Sequence, residues 1–332
     1  MVRRIRIIVL LGAALIAALW YALVTGAVPI SLATLFEDSD AGAFQRMVFA
    51  EIRSPRVVLA AFVGSSLALA GASLQGLFRN PLADPGVIGV SSGAALGAIA
   101  MIVLGGALDI PNWLEPYVLP LAAVAGGGLV TAFIYLFARR FGQFSIVTIL
   151  LLGIAVNALA GVGIGAFQYL SDDAQLRTLT FWMMGSFGRA TWLAVLPAVA
   201  LMALAGIFLF GQQRALDRLQ LGEAEARHVG VDVKRVKRLT VMMSAVAAGA
   251  GVAVAGVIGF VGLVVPHLAR LIGGAAHGFV LPASVFLGGA LMVCADLVAR
   301  TVVVPAELPV GLVTSAIGAP FFLWLIARAR PR

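Results

Sequence analysis

Residues 212–238, QQRALDRLQLGEAEARHVGVDVKRVKR, form the longest polar stretch in a sequence that is almost continuously apolar on either side. The stretch contains seven basic and four acidic residues. Its centre, from Gly222 to Gly230, begins with acidic residues and ends with Arg227 and His228. Early acids, late bases and a glycine just beyond them are typical of a short helix. The pattern predicts a water-exposed helix, which is either an ordinary solvated loop or a contact site for a partner.

The composition around this stretch indicates an all-α polytopic membrane protein. Hydrophobic residues make up 61% of the 332 residues, charged residues only 11%, and the mean hydropathy is +1.05. A soluble domain has roughly 25% charged residues. Windows of about 20 apolar residues, which suffice to cross a membrane, predict ten spans. They lie near 7–28, 57–78, 86–107, 117–138, 146–170, 191–211, 239–258, 259–272, 279–299 and 308–327.

The apolar stretch 239–272 is too long for a single span. It contains Gly256, Gly259, Gly262 and Pro266, residue types that favour turns. We therefore expect two helices joined by a tight turn.

The distribution of charge predicts the orientation. With ten spans and a cytoplasmic N-terminus, 17 of the 23 basic residues but only five of the 15 acidic residues lie on the cytoplasmic side. Short cytoplasmic loops retain Lys and Arg, so both termini and the 212–238 loop are predicted to be cytoplasmic. The net charge of +8 is then explained by the basic residues of the cytoplasmic loops, and it gives no support for nucleic-acid binding.

The sequence predicts one transmembrane domain over residues 1–332, with 212–238 as a loop within it. The N-terminal apolar run resembles a signal peptide, but at about 22 residues it exceeds the 7–15 residue core of one, so we interpret it as the first span. Cys294 is the single cysteine, which excludes a disulfide or a cysteine-based metal site within the chain.

Polar residues within spans are costly and are the first candidates for function. Gln75, Asn157 and Gln168 lie in spans, where each forms either a hydrogen bond between helices or a substrate contact. Asp296 and Arg300 are four residues apart on one helix, and this spacing predicts a mutual pair. The three histidines have no metal-binding spacing, and no catalytic motif is present.

The chain has two lysines, and neither follows a glycine. It therefore lacks the GxxxxGK[ST] loop that cradles nucleotide phosphates. If ATP drives this protein, we expect ATP and Mg²⁺ to be bound by a separate subunit.

Several blocks resemble the FecCD/BtuC-type permeases of bacterial ATP-driven importers for iron-siderophores, haem and vitamin B12. The resemblance covers essentially the whole chain, with the blocks in family order. They are residues 51–97 (EIRSPRVVLAAFVGSSLALAGASLQGLFRNPLADPGVIGVSSGAALG), 181–188 (FWMMGSFG), 221–233 (LGEAEARHVGVDV), 259–271 (GFVGLVVPHLARL) and 295–326 (ADLVARTVVVPAELPVGLVTSAIGAPFFLWLI).

The resemblance implies a type II ABC importer permease with ten transmembrane helices per subunit, located in the bacterial inner membrane. The implied partners are a second copy of the chain, two copies of a cytoplasmic ATPase and a periplasmic substrate-binding protein. The implied pathway follows the two-fold axis of the dimer. The 212–238 loop becomes the element that couples the permease to the ATPase, through Gly222, Glu223, Ala226, Arg227 and Gly230.

The resemblance also implies three further sites. Arg53, Arg56 and Arg300 match arginines that pair with acidic residues of the binding protein. Gln75, Asn157 and Gln168 are expected along the translocation pathway. The cytoplasmic gate is expected at Asn80, Leu82, Phe144 and Ser145, although RRFGQFS (139–145) departs from the B12 permease pattern in length and in carrying phenylalanine.

Residues 169–186, YLSDDAQLRTLTFWMMGS, resemble the haem-importing branch, whereas WMMGSFG suits the B12 branch equally well. We therefore expect haem as the transported substrate, with a ferric siderophore or vitamin B12 as alternatives. A secondary transporter is a different class, but it would need an unpaired intramembrane acid or a broken-helix ion site. Neither stands out in the sequence.

Overall fold

The computed structural model describes residues 2–26, 30–35, 37–140 and 146–328, and all regular structure in these ranges is helical. The α-helices are numbered in chain order. They are α1 (Val2–Val24), α2 (Leu32–Leu35), α3 (Asp40–Met47), α4 (Ser54–Phe78), α5 (Val90–Leu104), α6 (Glu115–Arg140), α7 (Ile146–Leu170), α8 (Asp173–Met183), α9 (Trp192–Gly211), α10 (Gln213–Leu219), α11 (Glu223–His228), α12 (Val233–Ala255), α13 (Val261–Gly273), α14 (His277–Thr301) and α15 (Val310–Arg328).

Within the described ranges, ten apolar helices correspond to the ten predicted spans. Eight are long enough to cross a membrane, and two, α13 and α15, are shorter. The expected break in 239–272 is confirmed, because α12 ends at Ala255 and α13 begins at Val261. The intervening turn contains Gly256 with φ +74° and Phe260 with φ +68°.

Three helical segments differ from the sequence prediction. The basic segment before the seventh span is the first part of α12, whose N-terminus is capped by the Asp232 side chain accepting from the Arg235 N–H. Helix α10 lies within the polar loop. Helix α8 follows the fifth span and begins with a reciprocal capping box between Asp172 and Gln175.

Helix α4 is the centre of the bundle, since most of its residues are buried on all sides. It packs against α9, α12, α13 and α14. A Cβ on Gly64 would collide with the carbonyl of Gly288 in α14, and one on Gly71 with the carbonyl of Gly262 in α13. Small residues therefore allow this central helix to approach its neighbours closely.

Two GxxxG pairs in the sequence, Gly93 with Gly97 and Gly161 with Gly165, behave differently from each other. A Cβ on Gly93 would lie 2.7 Å from the carbonyl oxygen of Gly126, and the Gly97 Cβ would also meet α6, so this pair packs α5 against α6. A Cβ on Gly161 or Gly165 of α7 would meet nothing within 4 Å. Together with exposed leucine and valine side chains, these glycines leave one face of α7 uncovered by the described chain.

The FWMMGSFG block is a crossing point of three chain segments. Ser186 N–H donates to the carbonyl of Ala255 at the end of α12, at 2.8 Å. At the start of α15, Val310 and Gly311 N–H groups donate to the carbonyls of Gly185 and Met184, at 2.9 and 3.0 Å. Backbone hydrogen bonds therefore join the ends of α8, α12 and α15.

Candidate coupling, docking and gating sites

Helix α11 has the glycine-bounded geometry that the sequence predicts. Gly222 lies at its N-terminus with φ +115° and ψ 156°, a conformation that is essentially restricted to glycine. At its C-terminus, Gly230 has φ +82° and donates to the Arg227 carbonyl at 2.9 Å, while Val231 donates to Ala226 at 2.9 Å. These two bonds form a Schellman motif, which stops the helix and turns the chain.

One side of α11 is fixed to the bundle. Ala226 is fully buried and belongs to an apolar cluster with residues of α10 and α12. The Glu223 carboxylate lies 2.6 Å from the Lys237 Nζ of α12 and 3.5 Å from Arg227. Because Lys237 is almost buried, Glu223 serves first as an internal contact of the loop.

The opposite side of α11 is exposed. The Arg227 and His228 side chains are 64% and 78% exposed. Leu221 and Val229, at the two ends of the helix, are 70% and 52% exposed. We call these four exposed residues, Leu221, Arg227, His228 and Val229, the crest of α11. It combines two apolar side chains with basic groups and is available to a partner.

A second contact links the loop to the membrane helices. Asp217 of α10 accepts from the backbone N–H of His277 at 2.8 Å, and its carboxylate lies 2.7 Å from the His277 Nδ1. Gln220 donates to the Gly76 carbonyl of α4 at 2.8 Å. Sequence reasoning missed this contact because Asp217 and His277 are 60 residues apart.

At the other end of the bundle, Arg56 is at the centre of a buried ionic cluster. Its guanidinium donates to both oxygens of Asp296 at 2.8 to 3.1 Å and to Glu307 at 2.9 Å. The predicted pair between Asp296 and Arg300 is present but longer, at 3.6 Å. Arg56 is therefore the main partner of Asp296, a pairing across 240 residues that spacing could not indicate.

The three arginines expected to dock a binding protein lie inside the chain. Arg53, Arg56 and Arg300 are 4%, 8% and 8% exposed. Arg53 donates to the carbonyls of Leu23 and Val24, and Arg300 donates to that of Ala22, so both cap the last turn of α1. Cations at a helix C-terminus satisfy its unpaired carbonyls. In this structure the arginines join α1, α4 and α14.

The residues expected along the pathway occupy different environments. Gln75 is 3% exposed, accepts from Arg270 at 2.6 Å and donates to the Gly262 carbonyl at 2.9 Å, so it is a hydrogen-bonded link between α4 and α13. Asn157 and Gln168 are half-buried on α7. Asn157 and Gln168 therefore lie on α7, the helix with an uncovered face, whereas Gln75 does not.

The loop after α4 holds the first two residues expected at the gate. Asn80 accepts from the Leu82 N–H at 2.9 Å, and Leu82 is 50% exposed. Phe144 and Ser145 lie outside the described residues. The loop is attached to α7, because Asn157 donates to the Gly86 carbonyl at 3.3 Å and accepts from Ser92 at 2.5 Å.

Asp84 stabilises the second half of this loop. Its carboxylate accepts from the Gly86 N–H at 2.8 Å and caps the short 3₁₀ helix Pro85–Ile88. Burial raises the pKa of the Asp84 carboxyl, and the hydrogen bond from Gly86 opposes this effect. The Asp84 carboxylate therefore lies beside Gly262 of α13 in a partly buried position.

The fold defines a multi-pass membrane protein with a short, glycine-bounded helix on a polar loop. The sequence profile of the FecCD transport family matches residues 14–328. The chain belongs to the FecCD transport family and is the permease of an ABC transporter.

Individual relatives agree with this assignment. The chain is 46% identical over 305 residues to the hemin transport system permease protein HmuU of Yersinia pestis, covering 92% of this chain and 90% of the relative. It is 42% identical over 284 residues to the vitamin B12 import system permease protein BtuC of Vibrio cholerae, covering 86% and 83%. The cobalamin import permease BtuC of Halobacterium salinarum is also 42% identical, covering 85% and 73%.

A solved structure shares the fold. It is described as an inward-facing conformation of a putative metal-chelate type ABC transporter. The two chains superpose with a TM-score of 0.87 at 32% identity, covering 97% of this chain and 99% of the other. The permease fold therefore extends over nearly the whole chain.

Proposed function

We propose that this permease moves haem from the periplasm to the cytoplasm by alternating access, powered by separate ATPase subunits. The main support for haem as the substrate is the 46% identity with a hemin permease over 92% of the chain. Vitamin B12 is the second candidate, supported by relatives that are 42% identical over 85–86% of the chain. A ferric siderophore is the third, supported by the family resemblance alone.

The open face of α7 supports a homodimer with a central pathway. Gly161, Gly165 and the exposed Leu159 and Val162 lie on that face, and Asn157 and Gln168 lie on the same helix. In this arrangement α7 lines the pathway of the dimer. The similarity to permeases of bacterial importers supports a bacterial inner-membrane location. The distribution of charge supports cytoplasmic termini.

The exposed crest of α11 is the proposed contact for the ATPase, which occurs as two copies in the complex. Movement of α11 would reach the membrane helices through the ion pair from Glu223 to Lys237 and the contact from Asp217 to His277. Chains of ionic and hydrogen-bonded contacts can carry such coupling. ATP and Mg²⁺ would be bound by the ATPase, since this chain contains no phosphate-binding loop.

The proposed cytoplasmic gate includes Asn80, Leu82, Phe144 and Ser145. Within the described part of the gate, the hydrogen bonds from Asn157 attach the loop after α4 to the proposed pathway helix. A shift of α7 would therefore move this loop as well.

Reconstituted vesicles test the proposed substrate. Vesicles that contain the permease, its ATPase and its binding protein should accumulate haem only when ATP is present. A large excess of cobalamin or of a ferric siderophore should leave haem uptake nearly unchanged, because the pathway and binding protein would be matched to haem. The measurement is the initial rate of haem uptake with each competitor.

Two controls separate the alternatives. If cobalamin or the siderophore blocks haem uptake and is itself accumulated, the substrate assignment is wrong while the importer role stands. Vesicles without the ATPase should accumulate no haem. Uptake in those vesicles, driven by an ion gradient, would instead support a secondary transporter.

Docking of the binding protein would require Arg56 to exchange partners. One side of the Arg56 guanidinium is paired with Glu307, whose side chain is 46% exposed. An acid on the binding protein would have to displace it. Glu307→Gln should therefore tighten binding about fivefold, equivalent to the ~1 kcal/mol of an exposed ion pair, and the gain should shrink at high salt. Binding isotherms in vesicles would measure both effects.

A matched substitution controls for net charge. Glu51→Gln removes an exposed acid just before α4 without touching the Arg56 cluster. Equal effects of Glu51→Gln and Glu307→Gln would indicate a general electrostatic effect. Weaker binding after Glu307→Gln would show that Glu307 itself contacts the partner, and Arg56 would no longer be the docking residue.

A further inference from the structure

An apolar groove lies on the side of the bundle between α6, α9 and α12. Its volume is about 490 Å³. The walls are formed by Val124 and Leu136 of α6, Leu201 of α9, and Met242 and Val246 of α12. The volume lies within the range of about 300–1,000 Å³ that is common for ligand pockets.

Glycines contribute to the lining of the groove. Gly127 of α6 and Gly249 of α12 line it, so the α5 side chain of Val90 reaches it as well. Gly128 also lines it, and a Cβ there would meet nothing within 4 Å. Gly126 must be small because α5 packs against it, whereas that packing does not require a glycine at position 128. These glycines therefore leave room for an occupant.

The length of the groove corresponds to one leaflet of a membrane. From Val124 to Leu136 the lining of α6 spans thirteen residues, and the twelve steps between them cover ~18 Å along a helix. One leaflet supplies half of the ~30 Å hydrocarbon core. A single acyl chain would thus fit along the groove.

One end of the groove is basic. Arg140 follows Leu136 by four residues on α6, and Arg238 precedes Met242 by four residues on α12. Residues four apart share a helix face, so both arginines extend the walls of the groove toward the cytoplasmic end. Both are exposed, and neither has a hydrogen bond or ion pair with another described residue. They are placed to bind an anion at the membrane surface.

We propose that this groove binds an anionic phospholipid of the inner leaflet, with an acyl chain between α6 and α9 and the phosphate between Arg140 and Arg238. Basic pockets between transmembrane helices on the cytoplasmic side recognise anionic headgroups in this way. The charge complementarity favours a lipid over a second copy of the chain, whose open face in the proposed dimer is that of α7. The proposal rests on the proposed membrane orientation and is independent of the transported substrate.

Native mass spectrometry of the full-length permease, titrated with phosphatidylglycerol or phosphatidylcholine, tests the site. The wild type should bind phosphatidylglycerol about tenfold more tightly than phosphatidylcholine. The double substitution Arg140→Gln and Arg238→Gln should remove this preference. Gly128→Leu should reduce retention of both lipids about tenfold, because a Cβ at this position meets no atom within 4 Å and the rest of the side chain would occupy the groove.

Two matched variants control for general effects. Arg6→Gln removes an exposed arginine from α1, and Gly211→Leu adds a side chain in open space at the end of α9, outside the groove. Both should bind phosphatidylglycerol like the wild type, and helix content by circular dichroism should be equal in all variants.

Two outcomes would overturn the proposal. One is equal lipid retention in the wild type, the arginine variants and Gly128→Leu. The other is a disulfide between two copies of the permease through Thr131→Cys in a Cys294→Ser background, because a second copy would then cover the groove. Neither outcome would affect the assignment of haem as substrate.

Discussion

Replacing Gly222 or Gly230 by proline should reduce ATP-driven transport at least tenfold while the permease remains assembled. Both residues have positive φ, whereas proline fixes φ near −65°. Each N–H also donates within the loop, Gly222 to Leu219 at 3.1 Å and Gly230 to Arg227 at 2.9 Å. Proline would remove these bonds and redirect the chain at either end of α11. The proposed contact with the ATPase would then be misplaced.

Uptake and ATP hydrolysis should be measured on the same reconstituted importer. We expect hydrolysis to continue without stimulated transport, because the change is confined to the polar loop. Alanine at the same positions should give a smaller loss, since strained backbone costs about 1–3 kcal/mol per residue. Gly211→Ala is the control, because Gly211 has open space around it and no positive φ. Normal coupling in the proline variants would exclude α11 as the coupling element.

The features predicted correctly from the sequence are those encoded by neighbouring residues. Ten apolar windows correspond to the ten apolar helices among the described residues, and the acid-to-base order between Gly222 and Gly230 predicted α11. Helix α8 could also have been found from its capping box at Asp172 and Gln175. The basic start of α12 was missed because its charges were assigned to the loop, although Asp232 is a good N-cap residue.

The remaining features depend on contacts between distant residues. Arg56 and Asp296 are 240 residues apart, and Gln75 and Arg270 are 195 apart, so spacing along one helix could not pair them. The family resemblance assigned Arg56 a docking role, and only the structure shows that its guanidinium is buried against Asp296. Composition also does not distinguish an apolar helix face that packs inside a subunit from one that faces lipid or another subunit, as α7 illustrates.

Replacing Asp296 by alanine should destabilise the subunit by about 3–5 kcal/mol, the usual effect of removing one partner from a buried ion pair. Asp296 is 1% exposed and accepts from Arg56, with Arg300 3.6 Å away. Its loss would leave two buried guanidinium groups without this anionic partner. We expect a clear fall in the midpoint of thermal unfolding of the purified permease, together with a lower yield of monodisperse protein.

Glu307→Gln is the matched control, because it removes the charge of the other carboxylate bound to Arg56. Its side chain is 46% exposed, so we expect a loss of no more than about 1 kcal/mol. Equal unfolding midpoints for Asp296→Ala and Glu307→Gln would contradict the buried cluster. The double variant Arg56→Met and Asp296→Leu adds a second test, since replacing both members of a buried pair by apolar residues is often neutral. It should recover part of the stability lost in Asp296→Ala, and the recovery should be incomplete because Arg300 would still lack its carboxylate partner.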